Sequence, residues 1–224
     1  MNKKNKPPKI FLTRKKTSRW NWDYWSNKQD PSMYKLIAQF KGKWSIDPVF
    51  KKENYYKGTN PTTILQQEHW GLKLEDRYDE SWIAREQKKD YDPIIKATAL
   101  KDPVCWVHQQ MPGQMHLLHM DNAKTDHLHQ SKSGKPLTLR QRRNKIARLL
   151  IMLDDWHPGQ VVMLGNYHWV KWKKGDTMYF SWADLPHATA NMGHDPRPML
   201  FLQGEITEKF KKMLSSKEKL IIKI

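Results

Sequence analysis

The chain has 224 residues, which is enough for one compact core with extended ends but short for two full-sized domains. Apolar residues make up 38% and charged residues 28%, and 11 tryptophans supply large areas for burial, so a folded globular protein is favoured over a disordered one. The single cysteine excludes an internal disulfide and with it a disulfide-stapled secreted fold. We find no signal-peptide core and no apolar run near the roughly 20 residues that span a bilayer, and therefore expect a cytoplasmic protein.

The N-terminal segment is strongly basic. The formal net charge is +17, and eight of the positive charges lie in the first 20 residues, where there is no acidic residue. Residues 1–32 are predicted to form a mobile basic arm that ends in an aromatic patch containing Trp20 and Trp22. Such charge favours contact with nucleic acid or another polyanion. A solvated tail that only keeps the protein soluble is the plainer explanation.

Residues 33–103 show only weak periodicity. The apolar residues between Pro61 and Gln87 match neither a strand nor a helix pattern well, and we expect helical or mixed elements that support a downstream core. Asp92-Pro93 and Asp102-Pro103 bracket a short apolar stretch. After this stretch the sequence changes character, which places a boundary near residue 104.

Residues 104–206 consist of short apolar or alternating runs separated by turn residues. Such runs are typical of an antiparallel sandwich or barrel, and we predict a mainly β fold with flanking helices and a double-stranded β-helix core, a cupin-like jelly roll. The predicted strands cover residues 104–109, 114–121, 147–153, 160–164, 169–173, 177–181, 188–191 and 198–205. A polar, basic interruption at 122–146 is expected to form a lid or substrate loop. Phe210, Met213 and Leu214 predict an amphipathic helix over 207–219, within the C-terminal segment 207–224.

One candidate metal-binding motif is the triplet His119-Met120-Asp121 in the second predicted strand. Because side chains alternate along a strand, His119 and Asp121 are expected to project to one face and His116 to the other. One imidazole and one carboxylate then converge on a single point. An H-x-D triplet by itself is a weak signal, since it occurs often by chance on protein surfaces.

Two residues further along the chain strengthen this motif. His187 follows Asp121 by 66 positions, and Arg197 lies ten residues beyond His187 at the start of an apolar strand. Two histidines and one carboxylate on one face of Fe(II) leave the opposite positions open for a cosubstrate and dioxygen. A nearby arginine offers a planar, bidentate partner for a dicarboxylate.

On these residues, the segment from about 104 to 206 resembles the double-stranded β-helix core of the 2-oxoglutarate/Fe(II)-dependent oxygenase superfamily, over somewhat under half of the chain. The shared pattern is H-x-D, a distant His, and an Arg about ten residues later. The resemblance implies that His119, Asp121 and His187 bind Fe(II) and that Arg197 binds the 5-carboxylate of 2-oxoglutarate. It also implies a dioxygenase that hydroxylates its substrate and releases succinate and CO2.

The second contact to the cosubstrate carboxylate is not indicated by the motif. Some members of the superfamily place Ser or Thr two residues after the arginine, whereas this chain has Met199 there. Thr189 and Tyr179 are candidates for that contact. Arg148, at the start of a predicted core strand, is either another anion contact or the partner of Asp154 in a buried salt bridge.

Three residues are candidates for the substrate pocket. Gln160, which follows Pro158-Gly159, either lines the pocket or satisfies backbone groups at a turn. Trp182 either forms a pocket wall or belongs to the core. His129, in the polar interruption, contacts either the substrate or solvent. These residues do not identify the primary substrate, although the basic loop favours an anionic or polar one.

Two other functions are compatible with parts of the sequence. A cupin-like metal protein without oxygenase activity would share the barrel and the histidines, but it has no need for Arg197. A basic nucleic-acid-binding module would use the N-terminal arm and residues 140–148, with the histidines incidental. The chain contains no recognised nucleic-acid-binding motif.

Overall fold

The computed structural model describes residues 33–46, 82–84, 89–119, 145–182 and 185–224, with the backbone alone at 82–84, Leu117 and His119. Helix α1 (Asp92–Ala97) follows a 3-10 turn (Lys89–Tyr91), and helix α2 (Glu208–Ser215) lies near the C-terminus. The described strands are β1 (Tyr34–Lys41), β2 (Trp82–Ala84), β3 (Lys101–Gln110), β4 (Met115–His119), β5 (Ile146–Met152), β6 (Gln160–Leu164), β7 (Tyr167–Trp169), β8 (Asp176–Phe180), β9 (His187–Asn191), β10 (Arg197–Glu205) and β11 (Leu220–Lys223).

The strands form two sheets that face each other. The larger sheet has the order β11-β1-β8-β5-β10-β3-β2, and the smaller has the order β4-β9-β6-β7. From β3 to β10 the chain passes back and forth between the sheets, with β3, β5, β8 and β10 in the larger sheet and β4, β6, β7 and β9 in the smaller one. Side chains of β5, β8 and β10 pack against those of β6 and β7. This arrangement is a jelly roll, and it confirms the predicted mainly β, cupin-like fold.

The central strands β5 and β10 of the larger sheet are buried on both faces. Along β10, Met199 and Phe201 point into the space between the two sheets, which we call the barrel interior. Leu200 and Leu202 point the other way, into a second apolar core that α1 and α2 cover. All seven residues of β5 are buried, as expected for a strand with packing on both sides.

The segment before residue 104 is not mainly helical where the structure describes it. Strand β1 runs antiparallel to β8 in the larger sheet, with a register shift between Leu36 and Ala38. That shift disrupts the two-residue alternation from which a strand is recognised in sequence. Strand β2 pairs with β3, and α1 contributes Ile94 and Ile95 to the second apolar core. Residues 47–81 and 85–88 lie outside the described residues, so the expectation of mixed elements there stays a prediction.

The predicted C-terminal helix is confirmed, although it is shorter than expected. Thr207 caps it, since its hydroxyl oxygen accepts a hydrogen bond from the Phe210 backbone N–H at 3.1 Å. Phe210 and Met213 are its buried residues. The helix ends at Ser215, and β11 then pairs with β1 in parallel, which the sequence did not indicate.

The predicted basic arm (1–32) and most of the predicted lid (122–146) lie outside the described residues. Both stay predictions. None of the helices in the described ranges combines the length and the apolar character that crossing a membrane requires.

Gly175, the residue before β8, packs against the backbone of Phe40 in β1. Its φ is +83°, and a Cβ atom at this position would lie 2.0 Å from the Phe40 carbonyl oxygen. Gly113 also has a positive φ, +86°, but a Cβ atom there would meet nothing within 4 Å. A substitution by alanine would therefore strain the backbone at both glycines. Only at Gly175 would the added Cβ atom also clash with a neighbouring atom.

We expect Gly175→Ala to lower the free energy of unfolding by about 3 kcal/mol or more, because the clash adds to the strain. Gly113→Ala should cost only about 1 kcal/mol, from the positive φ alone. Urea unfolding of the two variants measures both values. Equal losses would mean that the Phe40 contact relaxes without cost.

Candidate functional site

Strand β9 supplies three polar side chains to the barrel interior. His187, Thr189 and Asn191 are spaced two residues apart and share one face, and all three are buried. The neighbouring strand β6 packs beside them with Leu164, Val162 and Gln160 in register. Polar groups at this depth need hydrogen-bond partners, and these partners determine what the three side chains can do.

His187 has its tautomer set by a backbone carbonyl. Its Nδ1 lies 2.9 Å from the Leu185 carbonyl oxygen. A carbonyl only accepts, so Nδ1 carries the proton and donates it. The lone pair then belongs to Nε2, as is usual for a metal-binding histidine oriented by a backbone group. The Phe180 ring meets the imidazole edge-on at 5.0 Å between centroids.

The register of β4 brings the backbone of His119 beside His187. These two residues are direct cross-strand partners, and His116 is the partner of Thr189. The register shifts between His116 and His119, so the strand holds one residue more than its neighbour. The side chain of His119 is not among those described.

The expectation that His116 projects away from the site is wrong. Its ring centroid lies 6.0 Å from that of His108, which is stacked on Phe201 in the barrel interior. The bulge in β4 is the physical reason, because an extra residue reverses the alternation on one side of it. His116 therefore belongs to the same interior as His187.

Arg197 is the first residue of β10 and points into the barrel interior. Only 2% of its surface is exposed. Its Nη2 donates to the Gln110 side-chain oxygen at 2.6 Å, while Nε and Nη1 have no hydrogen-bond partner among the described residues. Burial lowers the pKa of Arg197 to about 9, so the guanidinium is still protonated at neutral pH. A buried positive charge with unused donors is suited to an anion.

Gln110 connects Arg197 to β9. Its Nε2 donates to the Thr189 hydroxyl oxygen at 2.8 Å, and its backbone carbonyl accepts from Asn191 Nδ2 at 2.9 Å. Gln110 is also the direct cross-strand partner of Arg197. Three strands are thus joined around one guanidinium by hydrogen bonds that involve no carboxylate.

Two predicted site residues make contacts other than with Arg197 or His187. Gln160 directs its Nε2 to the carbonyl oxygens of Asp195 and Pro196, at 3.1 and 3.3 Å. It therefore satisfies backbone groups at a turn, which was the second of its two predicted roles. Tyr179 lies on the outer face of β8 and packs on Phe210 of α2, 6.3 Å between ring centroids. Its assignment as a carboxylate contact was wrong, because Arg197 faces the opposite side of the sheet.

Arg148 lies at the other end of the barrel interior. It is the cross-strand partner of Gln203, six positions along β10 from Arg197. At about 3.3 Å per residue this separation is about 20 Å, too far for both arginines to contact one carboxylate. Arg148 therefore does not share a carboxylate with Arg197, and its assignment as a further anion contact stays a prediction. Asp154 is not its partner in a buried salt bridge either, since Asp154 lies beyond the end of β5, six positions from Arg148, and its side chain is 35% exposed.

Arg148 and Trp182 lie together. The Arg148 guanidinium stacks over the Trp182 ring at 4.1 Å from its centroid, and its Nε donates to the Gln203 side chain. Trp182 is 2% exposed and packs in the apolar cluster of the barrel interior. It is a core residue that also orients Arg148, and its assignment to a substrate pocket stays a prediction.

Part of the predicted ligand set is outside the described residues. Asp121 and His129 lie there, as does the side chain of His119. In the ranges that are described, no three His, Cys, Asp or Glu side chains form a group that could hold a metal ion. The metal site therefore stays a prediction for His119 and Asp121, with His187 as its one described side chain.

Sequence reasoning missed Gln110. It continues the alternation of Trp106 and His108 along β3, so a polar residue on an inward face was the available signal. The hydrogen bonds to Arg197 and Thr189 had no such signal, because those residues lie 87 and 79 positions away.

No protein-family model matches the chain, and no curated protein matches it in sequence. A viral collagen prolyl hydroxylase, vCPH from Paramecium Bursaria Chlorella virus-1 in a 2OG complex, is similar in structure at 14% identity and TM-score 0.43, covering 80% of this chain and 98% of that one. A Pseudomonas putida prolyl-4-hydroxylase is similar at 15% identity and TM-score 0.41, with 66% and 83% covered.

A Cupin 2 conserved barrel domain protein from Salinispora arenicola is also similar, at 10% identity and TM-score 0.36, with 77% of this chain and 97% of that one covered. At such identities and scores these similarities carry no inference about function. We assign the jelly roll from the strand order and pairing alone.

Proposed function

We propose that the chain is an Fe(II)- and 2-oxoglutarate-dependent dioxygenase that hydroxylates a substrate. Arg197 is the observation that supports this most directly. Its guanidinium is buried and protonated, and Nε and Nη1 lack partners among the described residues. Such a charge is costly to bury without an anion beside it, and a dicarboxylate that enters the barrel supplies one.

The residues present fit a ferrous ion. The carbonyl of Leu185 leaves the lone pair of His187 on Nε2, which is the form that coordinates a metal. The backbone of His119 is the direct neighbour of His187, and Asp121 follows two residues later. Two imidazoles and one carboxylate suit Fe(II) and leave coordination positions for the cosubstrate and dioxygen.

When bound, iron would use dioxygen and 2-oxoglutarate to convert a substrate C–H into C–OH, one oxygen atom of O2 entering the product and the other entering succinate, with release of CO2. The chain's own residues bind and orient. Arg197 holds the 5-carboxylate, and His119, Asp121 and His187 hold the metal. Val162, the cross-strand partner of Thr189, and Met199, two residues after Arg197, are buried apolar residues that would help to exclude water from the barrel interior.

The proposal is tested with the purified full chain, 2-oxoglutarate and Fe(II) in air. We expect succinate to form, and omission of either iron or 2-oxoglutarate to stop it. Quenching of tryptophan fluorescence by Mn(II) without oxygen gives an independent measure of metal binding, with and without 2-oxoglutarate.

The other two functions predict different results in the same experiment. A cupin-like metal protein without oxygenase activity responds to Mn(II) but neither binds nor consumes 2-oxoglutarate. A nucleic-acid-binding module responds to neither compound. Either result would overturn the proposed function.

A further inference from the structure

We propose that Gln110 is a positioning residue that makes Arg197 and Thr189 two converging donors for the far carboxylate of a bound dicarboxylate. This inference rests on the proposed function, and it assigns the second carboxylate contact to Thr189. It also gives a reason why the partner of Arg197 is an amide. The supporting observation is the pair of hydrogen bonds that join the side chains of Gln110 on β3, Arg197 on β10 and Thr189 on β9.

The direction of each hydrogen bond follows from the chemistry of the groups. Arg197 can only donate, so the amide oxygen of Gln110 must face it, at 2.6 Å from Nη2. The amide nitrogen of Gln110 therefore faces Thr189, 2.8 Å from the hydroxyl oxygen. Because that oxygen accepts from the amide, the hydroxyl proton of Thr189 is donated in another direction.

An amide and a carboxylate at position 110 would differ in charge but hardly in shape. A glutamate at position 110 would form an ion pair with Arg197. This ion pair would compete with the carboxylate of a ligand for the guanidinium. The neutral glutamine orients the guanidinium and does not itself compensate its charge, and Nε and Nη1 have no partner in the part of the chain that the structure describes. Gln110 is itself fully buried, and its backbone is fixed through the Asn191 side chain.

Thr189 also supplies a hydrogen-bond donor that β10, the strand of Arg197, does not offer two residues after the arginine. Met199, two residues after Arg197, cannot donate a hydrogen bond from its side chain. Thr189 lies on β9, the strand that carries His187 two residues earlier. One strand therefore bears both a proposed metal ligand and a proposed carboxylate donor, so the two ends of one dicarboxylate are held by the same rigid element.

The test compares Gln110→Glu with Gln109→Glu in the full-length protein. Gln109 precedes Gln110 on β3, faces the other side of the sheet and is half-buried, so it receives the same added charge outside the barrel. Affinity for 2-oxoglutarate is measured by calorimetry with Mn(II) and without oxygen. We expect about 30-fold weaker binding for Gln110→Glu and less than twofold change for Gln109→Glu.

A second ligand separates this role from general damage. In 2-oxopentanoate a methyl group replaces the far carboxylate, so it should bind wild type and Gln110→Glu equally. The thermal midpoint of Gln110→Glu without ligand should equal or exceed that of wild type, because the new carboxylate pairs with Arg197. Thr189→Val, which keeps the shape and removes the donor, should weaken 2-oxoglutarate binding about tenfold.

The outcomes distinguish this inference from the proposed function. A wild-type chain that does not bind 2-oxoglutarate overturns both. If wild type binds it and Gln110→Glu binds it equally well, only the role of Gln110 is overturned. Should Gln110→Glu lose its folded transition, Thr189→Val decides, and unchanged affinity in that variant overturns the inference.

Discussion

Replacing Arg197 with methionine is expected to weaken 2-oxoglutarate binding about 100-fold or more without destabilising the protein. The variant loses at least two charge-assisted hydrogen bonds to the ligand, each worth roughly 1.5–3 kcal/mol. It also removes a buried charge with Nε and Nη1 unpartnered among the described residues. Methionine fills much of the same volume, so the apolar surroundings stay packed.

The pH dependence of this effect has a definite sign. Burial lowers the pKa of Arg197 to about 9, well below its value in the unfolded chain. The charged form is therefore disfavoured on folding, and this cost is fully present below pH 9 and decreases as the pH rises above it. Any stabilisation of Arg197→Met over wild type should be largest below pH 9 and shrink above it.

Calorimetry with Mn(II) measures the affinity, and thermal unfolding without ligand from pH 7 to 10 measures the stability. The Gln110 oxygen loses its donor in this variant, which offsets part of the gain. Arg197→Lys keeps the charge but not the fork of donors, and it should bind 2-oxoglutarate with intermediate affinity. Unchanged affinity in Arg197→Met would remove Arg197 from the proposed site.

Replacing His187 with alanine is expected to reduce succinate formation at least about 100-fold. The imidazole is the one predicted metal ligand whose side chain the structure describes, and its Nδ1 is oriented by Leu185. Loss of one of three protein ligands weakens metal binding and leaves one coordination position without a protein ligand. Asp121→Ala should have the same effect, since it removes the carboxylate of the set.

The matched control is His168→Ala, which removes an exposed histidine from β7 of the same sheet. Its succinate formation should stay within twofold of wild type. Turnover is measured with saturating 2-oxoglutarate and Fe(II), and metal binding by Mn(II) quenching. If His187→Ala and His168→Ala turn over equally, the ligand assignment fails even if 2-oxoglutarate binding persists.

Much of the jelly roll was predictable because strands leave a local pattern. The bounds predicted for residues 160–164 coincide with β6, and those for 198–205 differ from β10 by one residue. Alternation and turn residues are properties of a few neighbouring positions. By contrast, β1 contains a register shift, and β11 is only four residues long, so neither leaves a clear pattern.

The candidate site was predictable only in part, for a related reason. The spacing of His119, Asp121, His187 and Arg197 could be read directly, because it depends on order along the chain. Whether His116 faces inward depends on a bulge, and a bulge is defined only by the partner strand. The sequence pattern therefore placed His116 on the wrong face.

By itself, the sequence determined that the chain forms a β fold of jelly-roll type and which residues were candidates for metal and anion binding. Only the tertiary structure decided between its two core arginines. Arg197 begins β10 and Arg148 is the third residue of β5, but the pairing of β5 with β10 puts them at opposite ends of the barrel interior. Register depends on contacts between distant residues, and Gln110, 87 positions from Arg197, became its partner for that reason.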